Sequence, residues 1–248
     1  MQILVLTSDK QHHCLNPFVH LWQKYFWWSA PMQGARQIIC GFTPPRGVKS
    51  NYTWEFYSIG RQEDYPADRW SDALIKVLDE VADEQFLLML EDYWLCRPVD
   101  LAAVRMLYDY ARQFSNVLKI DLTTDRLYMD GGGRFLYGYN TYNHVGYLDL
   151  IKSPPGSQYQ MSLWGGIWNR DVMRRFLVPG ERAQEVELRG TARVNETGDS
   201  VLVLGTRQAP MMHGNVYQSG REGPVYHDGG WQISQADLAE LRVRGWIE

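Results

Sequence analysis

Two adjacent carboxylates, Glu91 and Asp92, have the plainest potential for chemistry in this sequence. They directly follow the continuous aliphatic run Phe86-Leu-Leu-Met-Leu90. Such runs are typical of parallel strands buried on both faces, so we expect the pair at the carboxyl end of a strand. Carboxylates there can bind a hard cation, Mg²⁺ or Mn²⁺, which also binds diphosphate oxygens. The alternative is a solvated strand end that binds nothing.

A second acidic strand end is predicted further along the chain. The run Asn116-Val-Leu-Lys-Ile-Asp121 favours a strand, and Asp125 and Arg126 follow it closely. Right-handed crossovers between parallel strands bring their carboxyl ends to the same edge of a sheet. We therefore expect Asp121 to lie on the same edge as Glu91 and Asp92. A local turn network is the alternative role for Asp121, Asp125 and Arg126.

The elements that must position these residues alternate between strand and helix. Strands are predicted at 3–6, 37–42, 52–58, 86–90, 116–121, 159–164 and 201–204. Helices are predicted at 18–28 after Pro17, at 71–81 and 100–114 with Ser71 and Asp100 as caps, at 169–177, and from Ser234 onward. The fold class is α/β, with a mixed, mostly parallel central sheet flanked by helices.

Glycines and prolines divide the remainder of the chain. Residues 128–147, with Gly131-Gly-Gly133, are predicted to form a long loop or an irregular hairpin. We expect one domain over residues 1–205 and a C-terminal extension over 206–248 whose helix packs on that domain.

The composition excludes several classes of protein. The formal net charge is −4 without any block of like charges, so a polyanionic substrate would need a local basic groove. Cys14, Cys40 and Cys96 are widely spaced, which favours neither a disulfide framework nor a zinc site. We see no signal-peptide pattern or membrane-length apolar run and expect a cytoplasmic protein. Motifs typical of dinucleotide oxidoreductases, kinases and serine hydrolases do not occur.

Three segments carry a resemblance to a known family. Phe86-Leu-Leu-Met-Leu-Glu-Asp-Tyr-Trp-Leu95 resembles the strand and acidic pair of small GT-A-like glycosyltransferases from bacterial polysaccharide loci and bacteriophages. Tyr159-Gln-Met-Ser-Leu-Trp-Gly-Gly-Ile-Trp-Asn-Arg-Asp171 resembles a later segment, with Trp164 where Gln is usual. Pro179-Gly-Glu-Arg-Ala-Gln-Glu-Val-Glu187 resembles a third, with Gln184 where Trp is expected. The resemblance spans roughly Met1 to Arg189.

The resemblance implies a GT-A-like, Rossmann-like fold and transfer of a sugar from a nucleoside-diphosphate donor to a hydroxyl acceptor. An inverting enzyme of this kind needs a carboxylate base, and Glu187 matches the family's terminal Glu. A solvated helix residue is the alternative for Glu187. Asp92 would bind Mn²⁺ or Mg²⁺, with Glu91 nearby; Asp is more usual than Glu there, and some relatives are metal-independent.

Further roles follow for the remaining candidates. The residues expected at the donor are Thr7, Ser8, Asp9, Asp72, Glu91, Asp121, Asp125 and Arg126. Tyr93, Trp164 and Trp168 would stack on the acceptor, although core packing is an alternative for the tryptophans. His213 would join Asp92 at the metal, and a structural histidine is the alternative.

The acceptor has more than one possible identity. It is a glycan, or a hydroxymethylpyrimidine flipped out of phage DNA, for which Arg97, Arg134, Lys152, Arg170, Arg174 and Arg175 would have to form a groove. A non-catalytic carbohydrate- or nucleotide-binding module with a degenerate site is the alternative to an enzyme. An interaction protein would instead show a large exposed aromatic patch.

Overall fold

A computed structural model of the chain describes residues 1–26, 34–46, 48, 54–127, 141–218, 221–228 and 231–248. The helices are α1 (His12–Tyr25), α2 (Trp70–Glu80), α3 (Leu101–Ala111), α4 (Arg170–Phe176), α5 (Ala183–Asn195) and α6 (Gln235–Val243). The first strands are β1 (Gln2–Leu6), β2 (Arg36–Gly41), β3 (Glu55–Ser58), β4 (Gln85–Leu90), β5 (Tyr93–Leu95) and β6 (Val117–Asp121). The later strands are β7 (Asn143–Val145), β8 (Leu148–Lys152), β9 (Gly166–Asn169), β10 (Leu202–Thr206), β11 (His213–Asn215), β12 (His227–Asp228) and β13 (Trp231–Gln232).

The central sheet has nine strands in the order β3-β2-β1-β4-β9-β6-β10-β8-β7 within the described residues. Strands β1 to β4 pair in parallel, and β6 pairs in parallel with β10. Strand β9 lies antiparallel between β4 and β6, and β8 is antiparallel to β10 and β7. Apart from β8 and β9, every strand runs in one direction. The predicted mixed, mostly parallel α/β fold is confirmed.

Helices cover both faces of this sheet. Alternate residues of each strand point to opposite sides, so each strand contributes side chains to two cores. Ile3 and Val5 of β1 belong to a core shared with α1 and α3. Leu4 and Leu6 belong to the opposite core, shared with α2, α4 and α5. The sheet is therefore buried on both faces, which explains the continuous apolar runs in β1 and β4.

Two predicted helix boundaries are corrected by the structure. Helix α1 begins before Pro17, since Cys14 and Leu15 are buried and their packing outweighs the backbone hydrogen bond that the proline removes. Ser71 is not the cap of α2, which begins at Trp70; its Oγ accepts a hydrogen bond from Glu181 N at 2.9 Å instead. Parts of the predictions at 18–28 and 52–58, and residues 128–140, lie outside the described residues.

The predicted strand at 159–164 is a turn, and the strand β9 begins after it at Gly166. The turn forms because distant side chains bind its backbone: Met161 N donates to Thr191 Oγ1 at 3.1 Å and Leu163 N donates to Glu187 Oε1 at 2.8 Å. Such long-range partners leave no periodic signal in the sequence.

The last part of the chain adds small elements around β5. Strand β11 pairs antiparallel with β5, and β12 pairs with β13. Ser234 caps α6 as predicted, its side chain accepting from Asp237 N. No helix in the described ranges has the length and apolar character of a bilayer-crossing segment. The predicted division at residue 205 stays a prediction.

Candidate functional site

A cleft with a volume of about 410 Å³ opens at the carboxyl ends of β1, β2 and β4. Its position follows from topology: β1 pairs with β2 on one side and β4 on the other, and ligands of α/β sheets bind where the strand order reverses. Its apolar wall consists of Leu6, Phe42, Ile59, Tyr65, Pro66, Ala67, Trp70, Ala73, Leu74 and Leu90. Its polar lining consists of Thr7, Ser8, Lys10, Gln62, Glu63, Glu91 and Asp92.

Glu91 and Asp92 form an acidic pair in this cleft, as the sequence predicted. Glu91 is only 9% exposed, and neither carboxylate forms an ion pair with any described residue. Burial, followed by the charge of Asp92, raises the pKa of Glu91 well above its usual range. Burial also raises the pKa of Asp92 to about 7. Two close carboxylates without a cationic partner resist ionisation, and a bound cation would relieve that cost.

This pair fits a hard divalent cation by its chemistry and its unpaired state. Oxygen ligands suit Mg²⁺ and Mn²⁺, which need only one or two protein carboxylates when phosphate and water complete the shell. No group of three or more His, Cys, Asp or Glu side chains in the described residues is arranged to hold a metal. Most of the coordination shell would therefore belong to the substrate and water.

Asp9 forms hydrogen bonds with Thr43 and Gln62 beside the cleft. Its carboxylate accepts hydrogen bonds from Thr43 N at 3.0 Å and Thr43 Oγ1 at 2.8 Å, and His12 Nε2 lies 3.4 Å away. Its backbone N–H donates to Gln62 Oε1 at 3.2 Å. Thr7 and Ser8, rather than Asp9, present the β1 end to the cleft.

Asp72 lies outside this cleft. Its Oδ1 accepts from Gly180 N at 2.8 Å, and its Oδ2 pairs with Arg69 at 2.5 Å. These contacts fasten the turn before α5 to α2. These contacts are structural, and the expected donor contact of Asp72 stays a prediction.

A buried ion network lies beneath the site. Asp121 is fully buried and pairs with Lys119 and with Arg126 Nε, the latter at 2.6 Å. Arg126 also pairs with Asp125 at 3.2 Å and donates to Ser153 Oγ at 3.2 Å. With its oxygens held by two buried cations, Asp121 positions the site rather than touching a ligand. Asp125 is 5% exposed and remains a candidate for ligand contact.

Glu187, on α5, also belongs to this side of the molecule. Its Oε1 accepts from Leu163 N at 2.8 Å, and Oε2 has no hydrogen-bond partner among the described residues. Burial raises the pKa of Glu187, which the N–H of Leu163 opposes. The charges of Asp92, Glu187 and Asp125 act on Tyr93, whose pKa is raised first by burial and then by these carboxylates. Carboxylates from separate elements thus converge around one tyrosine.

Three aromatic rings form a stack beside these carboxylates. His213 lies parallel to Tyr93 with ring centroids 4.6 Å apart, and its centroid is 4.9 Å from that of Trp164. Trp164 is partly exposed, so its ring can meet a ligand. Trp168 is fully buried with Lys119 over its ring, which makes it a core residue rather than a stacking surface.

The expected metal role of His213 conflicts with its contacts. The ring is fully buried, and Nε2 accepts a hydrogen bond from Gly165 N at 3.1 Å. Burial, followed by the charge of Lys119, lowers the pKa of His213 to about 3, so the ring is neutral. A metal bound at Nε2 would have to displace the Gly165 N–H.

Among the described residues, the basic side chains expected to form a groove do not line this cleft. Arg170 lies beside the start of β4, since its N–H donates to Glu84 O, and that end of the sheet is opposite to Asp92. Arg170, Arg174 and Lys152 pair with Asp171, Asp79 and Asp199. Arg97 donates to Ala209 O at 2.8 Å. Arg175, on α4, lies over the ring of Phe176, and Arg134 lies outside the described residues.

Sequence reasoning missed two parts of the site. The aromatic wall from Phe42, Tyr65 and Trp70 comes from three separate segments, which no local motif connects. Lys119 sits at a fully buried position inside β6, where its Nζ donates to Ser162 O at 2.7 Å. A lysine within an apolar strand ending in Asp was the available signal, because buried lysines need an acidic partner.

No protein-family model and no curated protein matches this sequence. Among solved structures, the chain is similar to UDP-glucose pyrophosphorylase complexed with UDP-glucose, at 9% identity and a TM-score of 0.48 over 86% of this chain and 91% of that one. It is also similar to the galactosyltransferase LgtC in complex with donor and acceptor sugar analogues, at 11% identity and 0.40 over 100% and 96%. A CMP:2-keto-3-deoxy-manno-octonic acid synthetase complexed with CTP shows 11% identity and 0.44 over 98% of both chains. Identities this low, at these scores, leave the function to be argued from the site itself.

Proposed function

We propose that this protein is a glycosyltransferase that transfers a hexosyl or related sugar from a nucleoside diphosphate to a hydroxyl acceptor. The observation that carries the proposal is the cleft at the strand reversal, in which an aromatic wall faces two buried carboxylates without a cationic partner. A nucleoside diphosphate has the matching parts, namely a flat apolar base and an anionic diphosphate.

The donor site in this proposal is divided between its two walls. Phe42, Tyr65 and Trp70 bind the base, while Thr7 and Ser8 contact the ribose. Asp92, with Glu91 beside it, would hold Mn²⁺ or Mg²⁺. A divalent cation bound by these carboxylates would supply Lewis-acid stabilisation of the leaving group.

The acceptor site adjoins Asp92 in this proposal. Tyr93 follows Asp92 directly and stacks with His213 beside the partly exposed Trp164 ring, so an acceptor sugar can pack on Trp164. Glu187 takes the proton of the attacking hydroxyl through Oε2, since Oε1 is held by Leu163 N. Its burial favours this role, because a carboxylate with a raised pKa is a better base at neutral pH.

A glycan fits this site better than DNA. The charged groups acting on Tyr93 are carboxylates, and the cations beneath them, Lys119 and Arg126, are buried and paired. A flipped DNA base would bring its phosphates to this surface and meet repulsion. Modification of a phage DNA base therefore ranks second as the acceptor reaction.

A non-catalytic binding module is the alternative function. It is favoured by Glu187 Oε1 being bound to Leu163 N and by the departures at Glu91 and Gln184 from the family pattern. Such a module would bind a nucleotide in the same cleft without cleaving the donor.

Donor hydrolysis tests both functions. Nucleoside-diphosphate sugars with uracil, guanine, cytosine, adenine and thymine bases are incubated with Mn²⁺, and the released nucleoside diphosphate is measured. We expect the wild type to cleave one of them and Asp92→Asn to lower kcat/KM at least about 100-fold, since it removes a charged stabiliser. Asp171→Asn, at an exposed carboxylate on α4, is the control and should match the wild type. Binding of a nucleotide without any cleavage would favour the module.

A further inference from the structure

His213 is placed to organise the acceptor wall. It lies on β11, which pairs with β5 so that His213 is opposite Leu95. Its ring contacts both Tyr93 and Trp164, with centroid distances of 4.6 and 4.9 Å, and the centroids of Tyr93 and Trp164 are 6.0 Å apart. The stack therefore joins residues from three separate parts of the chain.

The same ring holds the backbone turn that carries Trp164. Gly165 N donates to Nε2 at 3.1 Å, and Gly165 O accepts from Leu122 N at 3.2 Å. A Cβ at Gly165 would lie 3.0 Å from Nε2 and 2.9 Å from Met89 Sδ, so only glycine allows this approach. The hydrogen bond and the ring contact together fix both the position and the orientation of Trp164.

Packing alone does not account for a histidine here. Because Nε2 accepts a hydrogen bond, the ring proton is on Nδ1, and Nδ1 is buried without a partner among the described residues. An unpaired buried donor lowers stability, and a phenylalanine of similar shape would avoid that cost. A histidine here provides both a hydrogen-bond acceptor for the Gly165 N–H and a flat ring that packs against Tyr93 and Trp164.

We propose that His213 is a positioning residue that holds Trp164 and Tyr93 as the acceptor-binding wall, and that it does not bind the metal. The inference rests on the proposed function, because that function is what assigns Trp164 and Tyr93 to acceptor binding. The contacts that His213 makes can be tested without any substrate.

The experiment compares His213→Phe, His213→Gln and His213→Ala with the wild type. Phe keeps the ring but loses the acceptor, Gln keeps an acceptor but loses the ring, and Ala loses both. His227→Asn is the control, since this exposed histidine lies on β12 in the same part of the chain. Melting temperatures identify any variant that fails to fold, and only folded variants are compared.

The first measurement is Mn²⁺ binding, by calorimetry and by the electron paramagnetic resonance of free Mn²⁺, with and without UDP or GDP. Positioning predicts affinities within about twofold of the wild type for His213→Phe and His213→Gln. A Mn²⁺ affinity at least tenfold weaker in both variants would overturn the proposal, because losses of that size are usual when a metal ligand or the group that supports it is removed.

The second measurement is the solvent accessibility of Trp164, followed by acrylamide quenching of tryptophan fluorescence. Each protein is compared with the same protein carrying Trp164→Phe, and the difference gives the quenching of Trp164 itself. Positioning predicts increased quenching in His213→Ala and a smaller increase in Phe and Gln. Unchanged quenching in His213→Ala would overturn the proposal, because Trp164 would then be held without His213.

Donor hydrolysis separates this inference from the proposed function. If the wild type cleaves a donor, His213→Phe and His213→Gln should keep its donor KM within about twofold. Methyl pyranosides of glucose and galactose serve as acceptor probes, and any stimulation of cleavage should require higher glycoside concentrations in the variants. If the wild type cleaves no donor, the proposed function fails while the Mn²⁺ and Trp164 measurements still decide the role of His213.

Discussion

Individual side chains at this site are held in states that cost stability. Glu91 and Asp92 lie together without a cationic partner, and burial raises the pKa of Asp92 to about 7. A folded-state pKa above the unfolded value means that the folded protein binds more protons. Stability is then fully present below about pH 4 and is lost as pH rises toward 7. Residues kept at such cost are candidates for function.

Asp92→Asn should therefore stabilise the protein in a pH-dependent manner. Asn resembles the protonated carboxyl and never ionises, so the gain in unfolding free energy should be near zero at pH 4 and reach about 1–3 kcal/mol at pH 8. Urea unfolding in EDTA at both pH values measures it. An equal gain at both values would contradict the assigned titration, and Asp171→Asn should show no pH-dependent gain.

Asp121 shows why the contacts of some candidate site residues could not be predicted from the sequence. Its type and its place after a strand were predicted, but its two cationic partners come from inside β6 and from the following turn. Asp9 follows β1 and Asp72 lies in the first turn of α2, yet Thr43 and Gly180 bind their oxygens. Sequence patterns give the residue and its element, whereas its partners depend on packing between distant segments.

Among the elements, strands buried on both faces were the most predictable. Strand β4 matches its predicted range to within one residue, because its aliphatic run leaves no other structure for it. The turn at 159–165 was not predictable, because Thr191, Glu187 and His213 stabilise it from far along the chain. The part of the site on β1 and β4 could thus be located in advance. Tyr93 and Trp164 were named from the resemblance, but the contacts that bring them together through His213 could not be predicted.

Helix α6 depends on one buried carboxylate for its attachment to α1. Asp237 is fully buried and accepts from Lys24 Nζ at 2.7 Å, Tyr25 OH at 2.6 Å and Ser234 Oγ at 2.5 Å. Asp237→Ala would remove these three hydrogen bonds and leave the Tyr25 hydroxyl without its acceptor, while the backbone N–H of residue 237 could still donate to Ser234 Oγ.

We expect Asp237→Ala to destabilise α6 by about 2–4 kcal/mol. Hydrogen exchange at Gln235–Val243 should accelerate by more than about tenfold, while exchange in β1 and β4 should change much less. Asp228→Ala, at an exposed position on β12, is the control. Equal acceleration across the sheet would show that α6 does not open separately.

At the scale of the whole molecule, two of the acidic side chains, Glu91 and Asp92, lie in the cleft without a cationic partner in the described part of the chain, whereas Arg170 lies beside the start of β4, at the opposite edge, and pairs with Asp171. With a net charge of −4, the protein has little general attraction for a polyanion. The electrostatics of the molecule agree with a neutral glycan acceptor.

Duplex DNA containing hydroxymethylcytosine should therefore bind weakly. At 150 mM salt we expect a Kd of about 100 µM or more, at or beyond the weak end of non-specific binding. Fluorescence anisotropy over a salt series measures both the affinity and the number of phosphate contacts. Binding below about 1 µM with a steep salt dependence would favour the DNA acceptor and contradict the glycan.

Strands β9 and β10 have a consequence for how this protein is made. Strands β1 to β4 can pair with one another early, but β9 lies between β4 and β6 and β10 lies between β6 and β8, so the sheet is complete only after residues 202–206 have been synthesised. The contact of Tyr93 with His213 must wait longer still. During translation the cleft at the ends of β1, β2 and β4 can therefore form well before the ring cluster at Tyr93.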